Sequence, residues 1–375
     1  MSKVLAYLNE NIAQILSDLE RLVKAESPSK DKVLTDHCGE ELKDLFKLRL
    51  GLEAEVIPQS IVGNFLKFTF GSGDSQILII SHYDTVWDAG RLPYRVDGNK
   101  VYGPGILDMK GGIIQSLWAL KACQELGIFL DKKIVFLCIS DHEGLGSRYS
   151  RPLIEQEASR SAVVLVPEPA EAITGALKTS RKGILRFVIK IQGIAAHAGN
   201  NPQDGVSAIE EMAYQILYLR SLTNKSRGTT VNVGIVKGGN QLNVVPDQAE
   251  IHIDIRVTSM QEAERVSGLI QGVKPNLKGI SLQVEGGIAR PTMERTSETE
   301  RLFRVAQLCG QEFGVTLNET AAGGGSDGSF AAYLGIPTLD GLGSVGEGPH
   351  AEYEHILIDQ LPLRAALFSE LLTRL

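Results

Sequence analysis

The sequence turns on Ile77-Leu78-Ile79-Ile80, followed at once by Ser81-His82-Tyr83-Asp84-Thr85-Val86. Four consecutive aliphatic residues read as a strand buried on both faces. The polar cluster then stands at the strand's carboxyl end, where open α/β sheets carry their sites. An imidazole and a carboxylate two residues apart suit a metal ligand and the group that orients it, because a ligating histidine usually donates its second ring N–H to an oxygen. Taken alone, His-x-Asp is equally a solvated strand end.

Two further apolar runs finish the same way. Lys133 to Ile139 ends in Ser140-Asp141-His142-Glu143-Gly144, and Ala162 to Val166 ends in Pro167-Glu168-Pro169. Tyr102-Gly103-Pro104-Gly105 reads as a turn. Leu107-Asp108-Met109-Lys110-Gly111-Gly112 leads into a helix from about Ile113 to Leu126, which puts Asp108 at a helix N-terminal edge. Three strand ends rich in carboxylate and imidazole can together build one crevice. Upstream, Leu5, Leu8, Ile12, Ile15, Leu16, Leu19 and Leu22 recur at helical spacing and predict one amphipathic helix from Val4 to about Ala25. A second helix is expected over Lys32 to Leu48, then strands over 54–58 and 63–70.

Between about Lys178 and Gly287 the pattern changes. Strands are expected at Ile184–Gln192, Thr229–Val236, Gln248–Val257 and Ile280–Val284, with helices at Gly205–Leu222 and Met260–Ile270. The order strand-helix-strand-strand-helix-strand is the ferredoxin-like, split βαβ arrangement. Helices from about Glu298 to Phe313 and Asp359 to Leu375, and a strand at Ile336–Leu339, return to the first pattern. The chain therefore divides into 1–177, an insert at 178–290, and 291–375. A length of 375 residues suits two cores.

Apolar content of 43% and charged content of 22% are those of an ordinary globular chain. A net charge of -7 and the lack of a basic face argue against nucleic acid and anionic membrane as partners. No apolar stretch approaches the roughly 18 residues of a membrane span, and the N-terminus has no apolar h-region. Four cysteines without paired spacing (Cys38, Cys123, Cys138, Cys309) read as reduced, buried thiols, so a cytoplasmic location is expected.

Mixed imidazole and carboxylate donors favour a divalent cation, zinc foremost. His82, Asp108, Glu168 and His350 are the candidate ligands, and Asp108 can bridge two ions. With them stand Ala196-His197-Ala198-Gly199, Asn243-Val244-Val245-Pro246, Gly323-Gly324-Gly325-Ser326-Asp327-Gly328, and Glu354 four residues after His350. In this order, over nearly the whole chain, these segments resemble the zinc-dependent amidohydrolases that include glutamate carboxypeptidases, acetylornithine deacetylases and succinyl-diaminopimelate desuccinylases. The resemblance implies an α/β zinc-peptidase-like catalytic domain, its mixed central sheet flanked by helices, plus an inserted ferredoxin-like α+β lid or dimerisation domain. It also implies one or two Zn2+ ions, with Co2+ or Mn2+ as substitutes. His82 and Glu168 would hold one ion, Asp108 would bridge, His350 would hold the other, and Asp84 would orient His82. The peptide bond at Asp108 is often cis in the family. His197 is implied to reach an active site, possibly a dimer partner's, and to polarise the scissile carbonyl. Ser326-Asp327 is read as a structural loop near the site.

One segment departs from the family. Its members carry two adjacent glutamates after an aspartate, the first a general base and the second a zinc ligand, whereas this chain has Asp141-His142-Glu143-Gly144-Leu145-Gly146-Ser147. Aligned without a gap to Gly146-Ser147, Glu143 takes the base's place and Gly144 the ligand's. Shifted by one, Glu143 becomes the ligand and His142 the base, a role suited to an imidazole of pKa about 6.5. The ungapped register is adopted because it preserves the interval to Glu168.

The implied function is metal-dependent hydrolysis of a C-terminal or N-acyl amide, of glutamate carboxypeptidase type. Arg290, Arg256 and Asn243 are candidate contacts for a substrate carboxylate, since a guanidinium matches its two oxygens. The alternative is a degenerate relative that binds peptides or N-acyl amino acids without cleaving them, because Gly144 stands where a ligand belongs. The expected partners are such a substrate and a second copy of the chain paired through the insert, whose unpaired strand edge is a template for association.

Overall fold

The aliphatic run becomes the strand Gln76–His82, buried at every residue. The computed structural model describes residues 2–375, and this strand lies inside an eight-stranded sheet. The order across the sheet is Glu55–Ile57, Phe65–Phe70, Lys133–Ile139, Gln76–His82, Val163–Val166, Thr338–Asp340, Leu177–Arg181 and Glu319–Ala322. The four middle strands are parallel and the pairs to either side of them antiparallel, so the sheet is mixed.

Strand alternation sorts the aliphatic side chains onto the two faces of the sheet. Ile77 and Ile79 pack with Leu42, Phe46, Ile113, Leu117, Phe303 and Phe368, from the helices Lys32–Leu50, Gly111–Glu125, Ser297–Glu312 and Gln360–Arg374. Leu78 and Ile80 pack on the other side with Ile154, Ala158, Phe330 and Ala331, from the helices Arg151–Ala158 and Gly328–Tyr333. Because both faces are covered, the parallel strands read as unbroken apolar runs.

Register then brings the strand ends together. His82 pairs with Ile139, so Asp141, His142 and Glu143 follow directly beside it. Ile79 pairs with Leu165, and three residues further along each strand stand His82 and Glu168. The helix Gly111–Glu125 fits behind them only because Gly112 lacks a side chain: a Cβ there would lie 1.9 Å from the carbonyl oxygen of Pro167.

The expected first helix is two helices, Lys3–Glu10 and Ile12–Lys24. Asn11 breaks it by donating its side-chain amide to the Tyr7 carbonyl, which competes with helix continuation.

The chain folds as two units. One comprises residues up to Ser180, Arg295–Ala321 and Ser326–Leu375, and the other comprises Arg181–Glu294 with Ala322–Gly325. The second unit holds the antiparallel strands Gly183–Gln192, Thr230–Gly238, Gln248–Val257 and Ser281–Arg290, ordered second, third, first, fourth, with helices Ala208–Ser221 and Met260–Gln271. This is the ferredoxin-like arrangement. Leu185, Phe187, Ile189 and Ile191 share a core with Ile251, Ile253, Ile255 and Val257, while the alternate residues of these strands face outward. Its last strand runs to Arg290, beyond the expected Val284, because Gly286-Gly287 interrupts the apolar pattern without ending the pairing.

Candidate metal centre

Three carboxylates, Asp108, Glu143 and Glu168, and three imidazoles, His82, His142 and His350, meet at the carboxyl ends of the parallel strands. His82 Nε2 lies 3.2 Å from Asp108 Oδ1 and 3.5 Å from Glu168 Oε1. His350 Nε2 lies 3.4 Å from Asp108 Oδ2 and 2.9 Å from Glu143 Oε1. The two oxygens of Asp108 therefore face two separate donor sets. The peptide bond joining Asp108 to Met109 is cis.

This donor set fits divalent cations. Two ligand atoms each about 2.0–2.1 Å from a tetrahedral ion stand roughly 3.4 Å apart, which matches the 3.2–3.5 Å spacings around His82 and between His350 and Asp108. Charge points the same way. Burial works against ionisation of Asp108, yet His350 and His82 hold its carboxyl well below the usual range. Burial likewise opposes a charge on His82, and Asp108, Asp84 and Glu168 overcome it to raise the imidazole well above its ordinary value. Asp108 and then Glu143 push His350 up to about 10. Carboxylates packed this closely favour positive charge among them, and a cation takes the place of the imidazole protons.

The geometry of 141–147 bears on the choice between the two registers. Gly144 does not face the cluster: a Cβ there would meet Ser29 Cβ at 2.6 Å. Glu143, expected as the base, lies with His82 and Asp108 in one group of donors that could hold an ion. The shifted register, with Glu143 as an oxygen ligand and His142 preceding it, is the one that agrees with this geometry. The extra residue is taken up in the turn His142–Leu145 and Gly146, whose φ is 63°.

Asp84, expected to orient His82, approaches it with two groups. His82 Nδ1 is held by the Asp84 backbone carbonyl at 3.0 Å, while the Asp84 carboxylate is 3.6 Å away. That carboxylate accepts instead from Ser29 Oγ at 2.6 Å, Glu143 N at 2.9 Å and His142 N at 3.3 Å. It ties the end of one central strand to the turn after its neighbour.

His142 stacks on His82, ring centroids 4.2 Å apart and planes 7° from parallel. Its Nδ1 lies 2.8 Å from Asp327 Oδ2, and Asp327 also accepts from Ser147 Oγ. A nitrogen of His142 lies near His82 and Glu168 and completes a second possible donor group. Parallel rings, however, send their in-plane lone pairs side by side rather than to one point, so both imidazoles cannot coordinate one ion well. Asp327, read from sequence as loop structure, thus orients His142, and the glycine-rich Ser-Asp segment was the signal for it. Glu354 was likewise named only as a motif residue. Its buried carboxylate, pushed up to about 7 by burial, accepts from Trp87 Nε1 and the backbone N–H groups of Gly105, Leu107 and Asp108.

The second unit carries the remaining candidates. Exposed His197 lies on a short ribbon, paired with Val244, beside Asn243, whose carbonyl accepts from Ala198 N. His197 Nδ1 accepts from Gly199 N and Asn200 N at 3.1 and 3.0 Å, which leaves the proton on Nε2. Arg256 donates to Asp254 from Nε and Nη2 at 2.7 and 3.3 Å. Arg290 is buried at the end of its strand, against Gly325.

Comparison with known proteins places the chain in a family. A family model described as the M20 peptidase dimerisation domain matches residues 179–274. Carboxypeptidase G2 of Pseudomonas sp. (strain RS-16) is 31% identical over 371 residues, covering 96% of this chain and 88% of that protein. An acetylornithine deacetylase of Proteus mirabilis is 28% identical over 278 residues, covering 66% and 68%. Among solved structures, an M20 metallo-carboxypeptidase of Sulfolobus solfataricus superposes with a TM-score of 0.78 over 96% of this chain and 98% of its own, at 18% identity. An aminopeptidase of Bacillus cereus gives 0.80 over 97% and 98%, at 23% identity, and these two structures bear on the fold alone. With a relative this similar along nearly its whole length, the chain belongs to the M20 family of metallopeptidases.

Proposed function

We propose that this chain is a metallo-carboxypeptidase of glutamate carboxypeptidase type, hydrolysing a C-terminal or N-acyl amide bond in a substrate with a free carboxylate. The observation that carries this is the division of Asp108 between two donor sets, one with His82 and Glu168 and one with His350 and Glu143. Zn2+ suits these donors, with Co2+ or Mn2+ as substitutes. Divalent ions held there supply the Lewis acid that polarises the scissile carbonyl and acidifies water.

The chain's own residues do the rest. His142, its Nδ1 fixed by Asp327, offers Nε2 as the acceptor for the proton of the attacking water and returns that proton to the departing amine. His197, with its proton on Nε2, donates to the developing oxyanion. Arg290, Arg256 and Asn243 are the candidates for contact with the substrate carboxylate. The match to carboxypeptidase G2, 31% identical over 96% of this chain against 28% over 66% for the Proteus mirabilis deacetylase, supports carboxypeptidase over deacetylase chemistry. Glu143 beside His350 supports this reading over a degenerate site, because it would supply the carboxylate that Gly144 lacks.

The chain pairs with a second copy through the insert. Leu217 of the insert's long helix is 64% exposed and Ile235 of the edge strand 55% exposed, an apolar surface suited to burial between copies. No helix among the described residues is long and apolar enough to cross a membrane. The four cysteines are unpaired and buried, which suits a reducing compartment such as the cytoplasm.

The test is hydrolysis of N-acyl-glutamates, with N-acetylornithine and N-succinyl-diaminopimelate as competitors, after reconstitution with Zn2+, Co2+ or Mn2+. Preference for the acyl-glutamates is expected. No turnover with any of the three ions, or less than one ion bound per chain, overturns the proposal.

A further inference from the structure

We infer that Glu354 is a positioning residue, whose carboxylate holds the Asp108 loop against the His350 turn so that the donor set of Asp108 Oδ2, Glu143 and His350 can take up its ion. The inference rests on the two-ion reading above.

Glu354 is 1% exposed, and no cation lies against its carboxylate among the bonds it makes. Burying a carboxylate this way is costly unless hydrogen bonds replace its water. Four N–H groups do so. Oε1 accepts from Leu107 N at 2.9 Å and Asp108 N at 3.1 Å, and Oε2 accepts from Trp87 Nε1 at 2.7 Å and Gly105 N at 3.2 Å. These donors come from the segment after His82 and from the loop that carries Asp108.

Glu354 itself closes the turn that begins at His350: its N–H donates to Ala351 O at 2.8 Å, and Ala351 N donates to Gly348 O at 2.9 Å. The strand His355–Leu357 that follows pairs with Lys100–Tyr102, which feeds directly into the Asp108 loop. Strand pairing thus fixes the approach to the loop, the Met109 and Lys110 side chains fix its far end, and Glu354 is the side chain that binds the N–H of Asp108 itself. His82 and Glu168, on central strands and their ends, have no such dependence.

A carboxylate is required for this geometry. Glutamine would keep one accepting oxygen and turn an NH2 group toward two N–H donors. Aspartate is one methylene too short to reach all four.

The experiment is a calorimetric titration of the metal-free chain with Zn2+, comparing wild type, Glu354→Gln, Glu354→Asp and Trp87→Phe, with circular dichroism as the folding control. Wild type is expected to bind two ions. In Glu354→Gln the ion of Asp108 Oδ2, Glu143 and His350 loses about tenfold or more in affinity, as supporting partners of metal ligands do, while the other ion, which shares Asp108 but keeps His82 and Glu168 in place, loses less. Glu354→Asp is expected to lie between, and Trp87→Phe, which keeps the carboxylate and the three backbone donors, close to wild type. If Glu354→Gln does not fold, the selective loss in Glu354→Asp decides. Two ions bound with wild-type affinities in folded Glu354→Gln or Glu354→Asp overturn this inference alone. A single ion in wild type overturns the two-ion reading and this inference with it.

Discussion

Replacing Gly144 by glutamate separates the two registers of the 141–147 segment most directly. If Gly144 stood in a ligand's place, the substitution would supply a missing donor. The structure predicts damage instead. The new Cβ would lie 2.6 Å from Ser29 Cβ, an atom fixed to the backbone, so relief requires the Ser29 segment to move. That segment is pinned by Ser29 N to the Thr85 carbonyl and by Ser29 Oγ to the Asp84 carboxylate, which in turn caps the N–H groups of His142 and Glu143. Overpacking of this kind costs about 1–3 kcal/mol, and loss of a hydrogen bond to a buried charge adds about 1.5–3 kcal/mol. Trp87 and Trp118 are the chain's two tryptophans and both lie in the first unit, so intrinsic fluorescence reports that unit. Urea unfolding of Gly144→Glu is expected to show a midpoint lowered by roughly 1 M, given slopes of about 1–3 kcal/mol/M. Gly144→Ala, with the same Cβ, should share most of the loss. Metal content by mass spectrometry should not rise above wild type, whereas Glu143→Gln should lose one ion. Tighter metal binding or faster hydrolysis in Gly144→Glu would refute the register.

Three other outcomes follow from the geometry. His142→Ala is expected to lower kcat by about 10²–10⁴-fold with unchanged metal content, and His142→Glu to restore part of it; loss of an ion in His142→Ala would make the residue a ligand. Glu262 in the insert is held at about 2 by Arg265, against its burial and with help from Thr229. Its stabilisation is complete above the ordinary carboxyl range and is lost as pH falls from about 4.5 toward 2. It is worth about 1–2 kcal/mol because partly exposed Arg265 admits screening water. Acid unfolding of Glu262→Gln should therefore be flatter over that range, and an identical profile would remove the assignment. Leu217→Glu combined with Ile235→Lys should give monomers in light scattering where wild type gives dimers.

The sequence by itself determined the strands, the helices and the topology of the insert. Apolar periodicity is local: Ile77–Ile80 reads as buried on both faces and Ile251 to Val257 as buried on one, whatever surrounds them. The candidate ligands His82, Asp108, Glu168 and His350 were legible because each follows a turn or a strand with its own signature. What neighbours what across the cluster was decided only by the tertiary structure. Glu143 and Gly144 are adjacent in the chain, yet the backbone turn points one toward His350 and the other toward Ser29. Asp327 meets His142 although 184 residues separate them, and Glu354 meets Trp87 and Asp108 from still farther away. Such contacts depend on the direction of a side chain leaving a turn, and residue spacing along the chain carries no record of that direction.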